Sequence, residues 1–299
     1  MLTLSKIGYP EAIVRELQRY KVSMAGLTEC MLTGSGSKLI DGYTMMYSGA
    51  PSRIRAVALL LDKTLASAVT TWHPISDRLL YARLKHKHGH LSVVVACAPT
   101  DLSPDADKDI FYQQLESVTS SFPPHDKAVV LGDFNAVSGF DRRGFEEDAI
   151  GNYGSGDVND NSTRLLSYCC DHRLVITGSW FQRTNIHRYT WLCNDQRTKK
   201  EIDHILTNDR SMFKSVRVYR GAEPPANSDH RMFAADIFIF LNTYRAPRRP
   251  ARIRLDFTLL AQDSELADKY NVTISNAFHL FTIPSVHKVV SIMTMTFAS

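Results

Sequence analysis

The sequence predicts an α/β fold, and three observations carry that expectation. Apolar runs of strand length, rich in β-branched residues, stand at 22–28, 91–97 and 129–131 and read as buried strands. Segments with helical spacing of apolar residues separate them, so that the strand at 91–97, a helix carrying Ile110, Phe111, Leu115 and Val118, and the strand running from Val129 into Asp133 give strand, helix, strand. The chain has 299 residues, 44% hydrophobic and 22% charged, enough to bury a large core in one domain of roughly 200–250 residues with an appendage.

Taken in order, Pro10 suits a first helical turn, where its missing N–H costs nothing, and Ile13, Val14, Leu17 and Tyr20 recur on one helical face. A buried strand over 22–28 then ends on the carboxylate Glu29. Residues 33–38 read as a polar Gly/Ser loop, followed by strands at 43–47 and 56–61. Residues 79–84 and 91–97 read as a hairpin around His86, His88, Gly89 and His90, a polar turn more readily than a metal grip. A helix with Ile110, Phe111, Leu115 and Val118 on one face stops at Pro123-Pro124. The long polar loop 137–161 precedes a helix at 163–170, and strands follow at 174–177, 189–191, 201–206, 216–219 and 232–241. A further helix is expected around 259–270.

The chemistry concentrates at Gly132-Asp133-Phe134-Asn135. In a strand, positions i and i+2 share a face, so Asp133 and Asn135 can present an acceptor and a donor to one small volume. The same residues also suit a buried strand closed by an Asx-type turn, in which both side chains serve only the backbone. Further on, Ile202, His204 and Leu206 share one strand face while Asp203 points the other way with Ile205. A carboxylate directed into an apolar side needs a partner for its charge. Ser228-Asp229-His230 stands at the end of a Pro/Ala/Asn loop.

Composition narrows the setting. The net charge of +4 tolerates a polyanionic partner. Five cysteines without CxxC spacing read as reduced, non-zinc thiols of an intracellular protein. No run reaches the roughly 20 apolar residues of a membrane span, so no membrane partner is expected. From Arg245 the composition changes: Arg245, Arg248, Arg249, Arg252 and Arg254 alternate with prolines in a basic linker suited to nuclear import or nucleic-acid contact. The domain is therefore expected to cover 1–241, with 242–299 as linker and tail without an independent domain.

In order and context, Glu29, Gly132-Asp133-Phe134-Asn135, Ile202-Asp203-His204-Ile205 and Ser228-Asp229-His230 resemble the motifs of the endonuclease/exonuclease/phosphatase family. The surrounding sequence, from about Val14 to Leu241, is most similar to the endonuclease domain of LINE-type non-LTR retrotransposons and to host proteins called craniofacial development protein 2-like. This resemblance implies a four-layer α/β sandwich with its motifs at one edge, and hydrolysis of a phosphodiester in DNA with Mg²⁺, or Mn²⁺ in its place. It implies Glu29 as metal ligand with Asp229 assisting, and Asp133 and Asn135 as the pair that activates and orients water. It further implies His230 at the scissile phosphate with Asp203 orienting its ring, and Thr190 and Ser228 as DNA contacts. Mg²⁺ prefers oxygen ligands and keeps several waters, so one or two carboxylates and a substrate phosphate suffice to hold it.

The sequence departs from that pattern at two places. The family's first strand carries an active-site asparagine before the first helix, and Met1 falls just after that position, so the first strand is expected to be truncated. Cys97 stands where the family commonly has a tyrosine, and a thiol is a poor hydrogen-bond donor. Loss of one preorganised donor costs roughly a hundredfold in rate. The leading expectation is thus a Mg²⁺-dependent DNA endonuclease of weakened activity. The alternatives are a catalytically decayed nucleic-acid-binding or interaction protein and a phosphatase of the same fold.

Overall fold

The structure, a computed structural model, describes residues 4, 8–51, 55–140, 149–193, 197–219, 221, 228–239 and 288–296. Helix α1 (Tyr9–Arg19) leads into β1 (Val22–Thr28), β2 (Ser35–Ile40), β3 (Tyr43–Gly49) and β4 (Ala56–Asp62), then the short α2 (Lys63–Ala66). Strands β5 (Val69–Ser76), β6 (Leu79–His86) and β7 (Gly89–Cys97) precede α3 (Asp105–Ser120), β8 (Lys127–Asp133) and α4 (Asp160–Asp171). Four short strands follow: β9 (Val175–Ile176), β10 (Trp191–Leu192), β11 (Lys199–Lys200) and β12 (Asp203–Thr207). Finally come β13 (Phe213–Tyr219), β14 (Met232–Ile239) and β15 (Lys288–Thr296).

The strands form a seven-stranded sheet in the order β13-β14-β15-β1-β4-β3-β2, a six-stranded sheet β5-β6-β7-β8-β12-β9, and the small β10-β11 ribbon. Pairing is antiparallel except between β1 and β15 and between β7 and β8, the latter joined by the α3 crossover. Three apolar clusters separate four layers. Val57, Leu59 and Leu61 of β4 meet Val93, Val95, Val129, Leu131 and Ile205 between the sheets. The alternate residues Ala58 and Leu60 join Ile13, Val14 and Leu17 of α1 on the outer face of the larger sheet. On the other side Val94, Ala96 and Val130 pack beneath Phe111 and Leu115 of α3 and Leu165, Leu166 and Cys169 of α4. A central strand buried on both faces reads as a continuous apolar run. The expected four-layer sandwich is what is found.

Three expectations change. Residues 33–38 are not simply loop, because β2 pairs with β3 across Asp41-Gly42, both with positive φ, the geometry of a tight hairpin turn. β2 lies at the sheet's edge and is mostly exposed, so it has no apolar pattern to betray it. In α3 the buried stripe is Lys108, Phe111, Leu115 and Val118, while Ile110 points to solvent. Finally, the boundary near 241 set all later residues outside the domain, yet β15 lies inside the larger sheet, its Val290 and Ile292 in the central core. The basic linker and the helix expected at 259–270 lie outside the described residues. Among the described residues no helix is long and apolar enough to cross a membrane, and all five cysteines are free.

Candidate active site

The site begins with a glycine. Gly132 has φ 152°, and a Cβ there would stand 1.8 Å from the carbonyl oxygen of Ala96 on the neighbouring strand. Only glycine lets β8 lie this close to β7 while delivering the next residue to the strand end. Asp133 then pairs with Cys97 on one side and with Asp203 of β12 on the other. Asn135 follows in the left-handed region, φ 49°. Its N–H donates to Asp133 Oδ1 at 2.9 Å, an Asx-type turn, and its amide Nδ2 donates to the carbonyl of Ala98 at 3.1 Å and faces Asp133 Oδ2 at 3.4 Å. The two side chains come together through this turn rather than through strand alternation, because β8 ends at Asp133. Asn161, fully buried, braces the turn through its Nδ2, which donates to the carbonyls of Pro99 and Asn135.

Glu29 follows directly on β1, also at positive φ, 55°. Such a conformation costs a non-glycine residue of order 1 kcal/mol and persists where the surroundings impose it. Glu29, Asp133, Asn135, Asp229 and His230 line one cleft of about 350 Å³, together with Thr100, Asn159, Trp191 and Lys200. Behind it, the buried Asp203 accepts a hydrogen bond on Oδ2 from His230 Nδ1 at 2.8 Å. The acid that needed a partner has one, and the bond leaves Nε2 as the ring's remaining polar atom.

The electrostatics follow from this packing. Burial opposes the charge on His230, but the Asp203 carboxylate, by charge and hydrogen bond, outweighs it with help from Asp133 and Asp229 and pushes the imidazole up to about 9. Burial likewise opposes ionisation of Asp203, and His230 with the hydroxyls of Thr296 and Thr190 reverses it, holding the carboxyl below its usual range. For Asp133, burial and then the neighbouring Asp203 outweigh the opposing His230 charge and Asn135 N–H and push its carboxyl up to about 7. Glu29 is raised by burial, opposed by His230.

Asp229 carries one further signal. Its Oδ2 accepts from Trp191 Nε1 at 2.8 Å, whereas its Oδ1 is buried without a hydrogen-bond partner. A buried, unpaired carboxylate oxygen is costly, and beside Glu29 in the same cleft it is a ready ligand for a hard cation. Among the described residues no three His, Cys, Asp or Glu side chains enclose a cation by themselves. The orphaned Asp229 oxygen beside the Glu29 carboxylate fits an open, oxygen-rich divalent-cation site completed by water and phosphate.

The two residues expected to contact DNA both bond backbone groups. Thr190 is fully buried, and its hydroxyl oxygen accepts from the N–H groups of Ile202 and Asp203 at 3.0 and 3.1 Å. It is a strut for the entry into β12, not a groove contact. The Ser228 hydroxyl donates to the Thr296 carbonyl at 2.8 Å and accepts from the His230 N–H at 3.1 Å, so it shapes the His230 turn. Cys97 is buried in the central core, its thiol raised by burial and by the nearby Asp133, and it does not line the cleft. Sequence reasoning missed Trp191, Lys200, Asn161 and Thr296. The first two lie on the β10-β11 ribbon, whose two-residue strands give no periodicity to read.

A four-layer α/β sandwich with carboxylates and a carboxylate-paired histidine converging at one edge is a nuclease-like hydrolase fold. The chain belongs to the endonuclease/exonuclease/phosphatase family, whose model matches residues 7–276. It is 29% identical over 249 residues to craniofacial development protein 2 of Bos taurus and 29% over 248 residues to that of Tragulus javanicus, 82% of this chain in each case. It spans only 41% and 42% of those relatives' lengths. Among solved structures, the endonuclease domain of TRAS1, a telomere-specific non-LTR retrotransposon, superposes with TM-score 0.53 at 14% identity, covering 76% of this chain and 90% of that one. The AP endonuclease LMAP from Leishmania major superposes with TM-score 0.52 at 12% identity, covering 74% and 80%. Both share the fold. Members of the family typically depend on a divalent metal.

Proposed function

We propose that this chain is a Mg²⁺-dependent DNA endonuclease, with Mn²⁺ an acceptable substitute. The observation that carries the reading is the charged His230–Asp203 pair at one cleft with Asp133, Asn135, Glu29 and Asp229. Phosphodiester hydrolysis needs a nucleophilic water, a base near it and positive charge facing the oxygens of the transition state. Asp133, raised towards neutrality, accepts a proton from water more readily than an ordinary carboxylate. Asn135 holds Asp133 by its N–H and stands beside the attacking position. His230, held as imidazolium by Asp203, offers Nε2–H to a phosphate oxygen. Glu29 and Asp229 would hold the cation, which when bound supplies charge to the phosphoryl oxygens.

DNA as substrate is supported by the structural neighbours, a retrotransposon endonuclease domain and an AP endonuclease, and by Trp191 and Lys200 at the cleft, an aromatic face and a cation. The arginines 245–254 suit a nuclear location. The test is nicking of supercoiled plasmid by purified protein with Mg²⁺ and with chelator. Cleavage that requires Mg²⁺ and falls at least a hundredfold in Asp133→Ala and His230→Ala is expected; cleavage indifferent to both changes sinks the reading.

A second reading draws on Cys97. A buried thiol that does not reach the cleft supplies no donor to a phosphate, which favours a module that binds DNA without cutting it. Salt-sensitive binding with no nicking at any Mg²⁺ concentration identifies that case.

A further inference from the structure

The roles above leave the last described strand without a part. β15 runs between β14 and β1 and is parallel to β1, with Thr28 opposite Thr296. That is the slot and direction a strand preceding α1 would take in a strand–helix–strand unit. Along β15 the inward face reads Val290, Ile292, Thr294, Thr296, apolar in the central core and hydroxyl-bearing toward the site. The opposite face carries Met293 and Met295 against the α1 side.

Thr296 reaches both halves of the histidine pair. Its Oγ1–H donates to Asp203 Oδ1 at 2.8 Å, and its oxygen accepts from the Thr28 hydroxyl at 2.7 Å. Its carbonyl accepts from Ser228, whose hydroxyl in turn caps the His230 N–H. Thr28, Thr296 and Asp203 are all at most 1% exposed, so water does not replace these bonds. A carboxylate rotates broadly about its last torsion. With Oδ2 on His230 and Oδ1 on Thr296, the Asp203 carboxylate is held at both oxygens and has one orientation.

We propose that Thr296 is a positioning residue and that the strand Lys288–Thr296 completes the active site by locking Asp203 onto His230. This deepens the endonuclease reading and rests on it for its kinetic arm only. Thr294 provides an internal control. It lies on the same face of the same strand, is fully buried, and its hydroxyl has no hydrogen-bond partner.

The experiment compares Thr296→Val, Thr296→Ser and Thr294→Val in the full chain by two measurements. One is the kcat and KM of plasmid nicking with Mg²⁺. The other is the far-downfield proton resonance of the His230 Nδ1–H in metal-free protein. Removing a charge-assisted hydrogen bond from a positioned group is worth about tenfold or more in rate. Thr296→Val is therefore expected to lower kcat about tenfold with KM changed less than about twofold, and to shift or broaden the resonance. Thr296→Ser restores both, and Thr294→Val alters neither. Unchanged kcat and resonance in Thr296→Val, or the same losses in Thr294→Val, overturns the proposal. If the wild type does not nick, the endonuclease reading falls while the resonance still decides the role of Thr296. Should Thr296→Val not fold, Thr296→Ala, which also removes the hydroxyl that bonds Asp203, takes its place, and an unmoved resonance then overturns the proposal.

Discussion

The chain contains two Asp-His dipeptides near the site, and the fold puts them to opposite uses. In Asp203-His204 it is the acid that meets the cleft histidine. It faces inward with Ile205 and binds His230, whereas His204 turns to the helix side, fully buried, with Nε2 at 2.8 Å from the Ala136 carbonyl. In Asp229-His230 the histidine turns to Asp203 and the aspartate to the cleft and Trp191. Strand alternation separates the first pair, and the Ser228 turn orients the second. Electrostatics follow placement. Burial lowers the pKa of His204, with Glu201 too weak a counterweight, and the carboxylates around His230 raise it to about 9. A histidine next to an aspartate in sequence is no guide to the charge it carries.

The sharpest way to break this comparison is to change both members of the first pair. Asp203→Asn keeps the shape but removes the charge that holds His230 protonated. By analogy with other carboxylate–histidine pairs the nicking rate should fall roughly 10³–10⁴-fold. His204→Gln should leave nicking within about threefold while costing about 1–2 kcal/mol of stability, because the buried ring's packing is lost even where the bond to Ala136 is kept. Steady-state nicking and urea melts on both variants measure this. A comparable loss of rate in His204→Gln would mean that the two dipeptides are not functionally distinct.

A smaller effect is expected at the other aspartate. Trp191 also meets His230 through an isolated backbone bridge, so the ribbon and the His230 turn support one another. Trp191→Phe keeps the apolar ring and removes the N–H that fixes Asp229 Oδ2. The carboxylate that would hold the cation then loses its orienting donor, for which roughly tenfold weaker metal dependence is typical. Titration of nicking rate against Mg²⁺ reads this directly; an unshifted titration would remove Asp229 from the metal-holding role.

The contrast between the two dipeptides also shows which parts of the site were legible in the sequence. Asp203 was legible because a charge in a β-branched strand demands a partner, and the alternation of 202–206 assigned its face correctly. Gly132 to Asn135 was legible as chemistry. Its Asx-type turn was one of the two readings the residues allowed, whereas the brackets from Ala98 and Asn161 that hold it are distant in sequence and were not legible. The four layers followed from runs buried on both faces, whereas edge strand β2 had no apolar pattern at all. β15 did alternate, with Val290, Ile292, Thr294 and Thr296 on one face, but its position beside β1 is set by pairing partners some 268 residues away. Long-range pairing leaves no local trace, so Thr296 could not be read as a neighbour of Asp203.

The smallest and most discriminating effect is in the pH dependence of stability, measured in chelator so that no cation intervenes. His204 is lowered from its ordinary value of 6.5, so folding favours its neutral form. Its contribution is full above 6.5 and is lost as pH falls below it, because the unfolded chain takes up the proton first. His230 is raised from 6.5 to about 9, so its contribution is full below 6.5 and is lost as pH rises through about 9. Asp133, raised from 3.8 to about 7, adds a loss of the same sign at lower pH, as folding must give up a proton the buried carboxyl prefers to keep. Urea melts between about pH 5 and pH 10 should therefore show an alkaline limb, stability declining from about pH 6.5 to pH 9 through His230, and a shallower acid limb in which the His204 loss on acidification is offset by Asp133. His204→Gln removes the His204 contribution from the acid limb and leaves the alkaline limb in place. His230→Asn flattens the alkaline limb between about 6.5 and 9. If one substitution flattened both limbs, the two histidines would be titrating as one coupled group, and their opposite placement by the fold would not be what sets their charge.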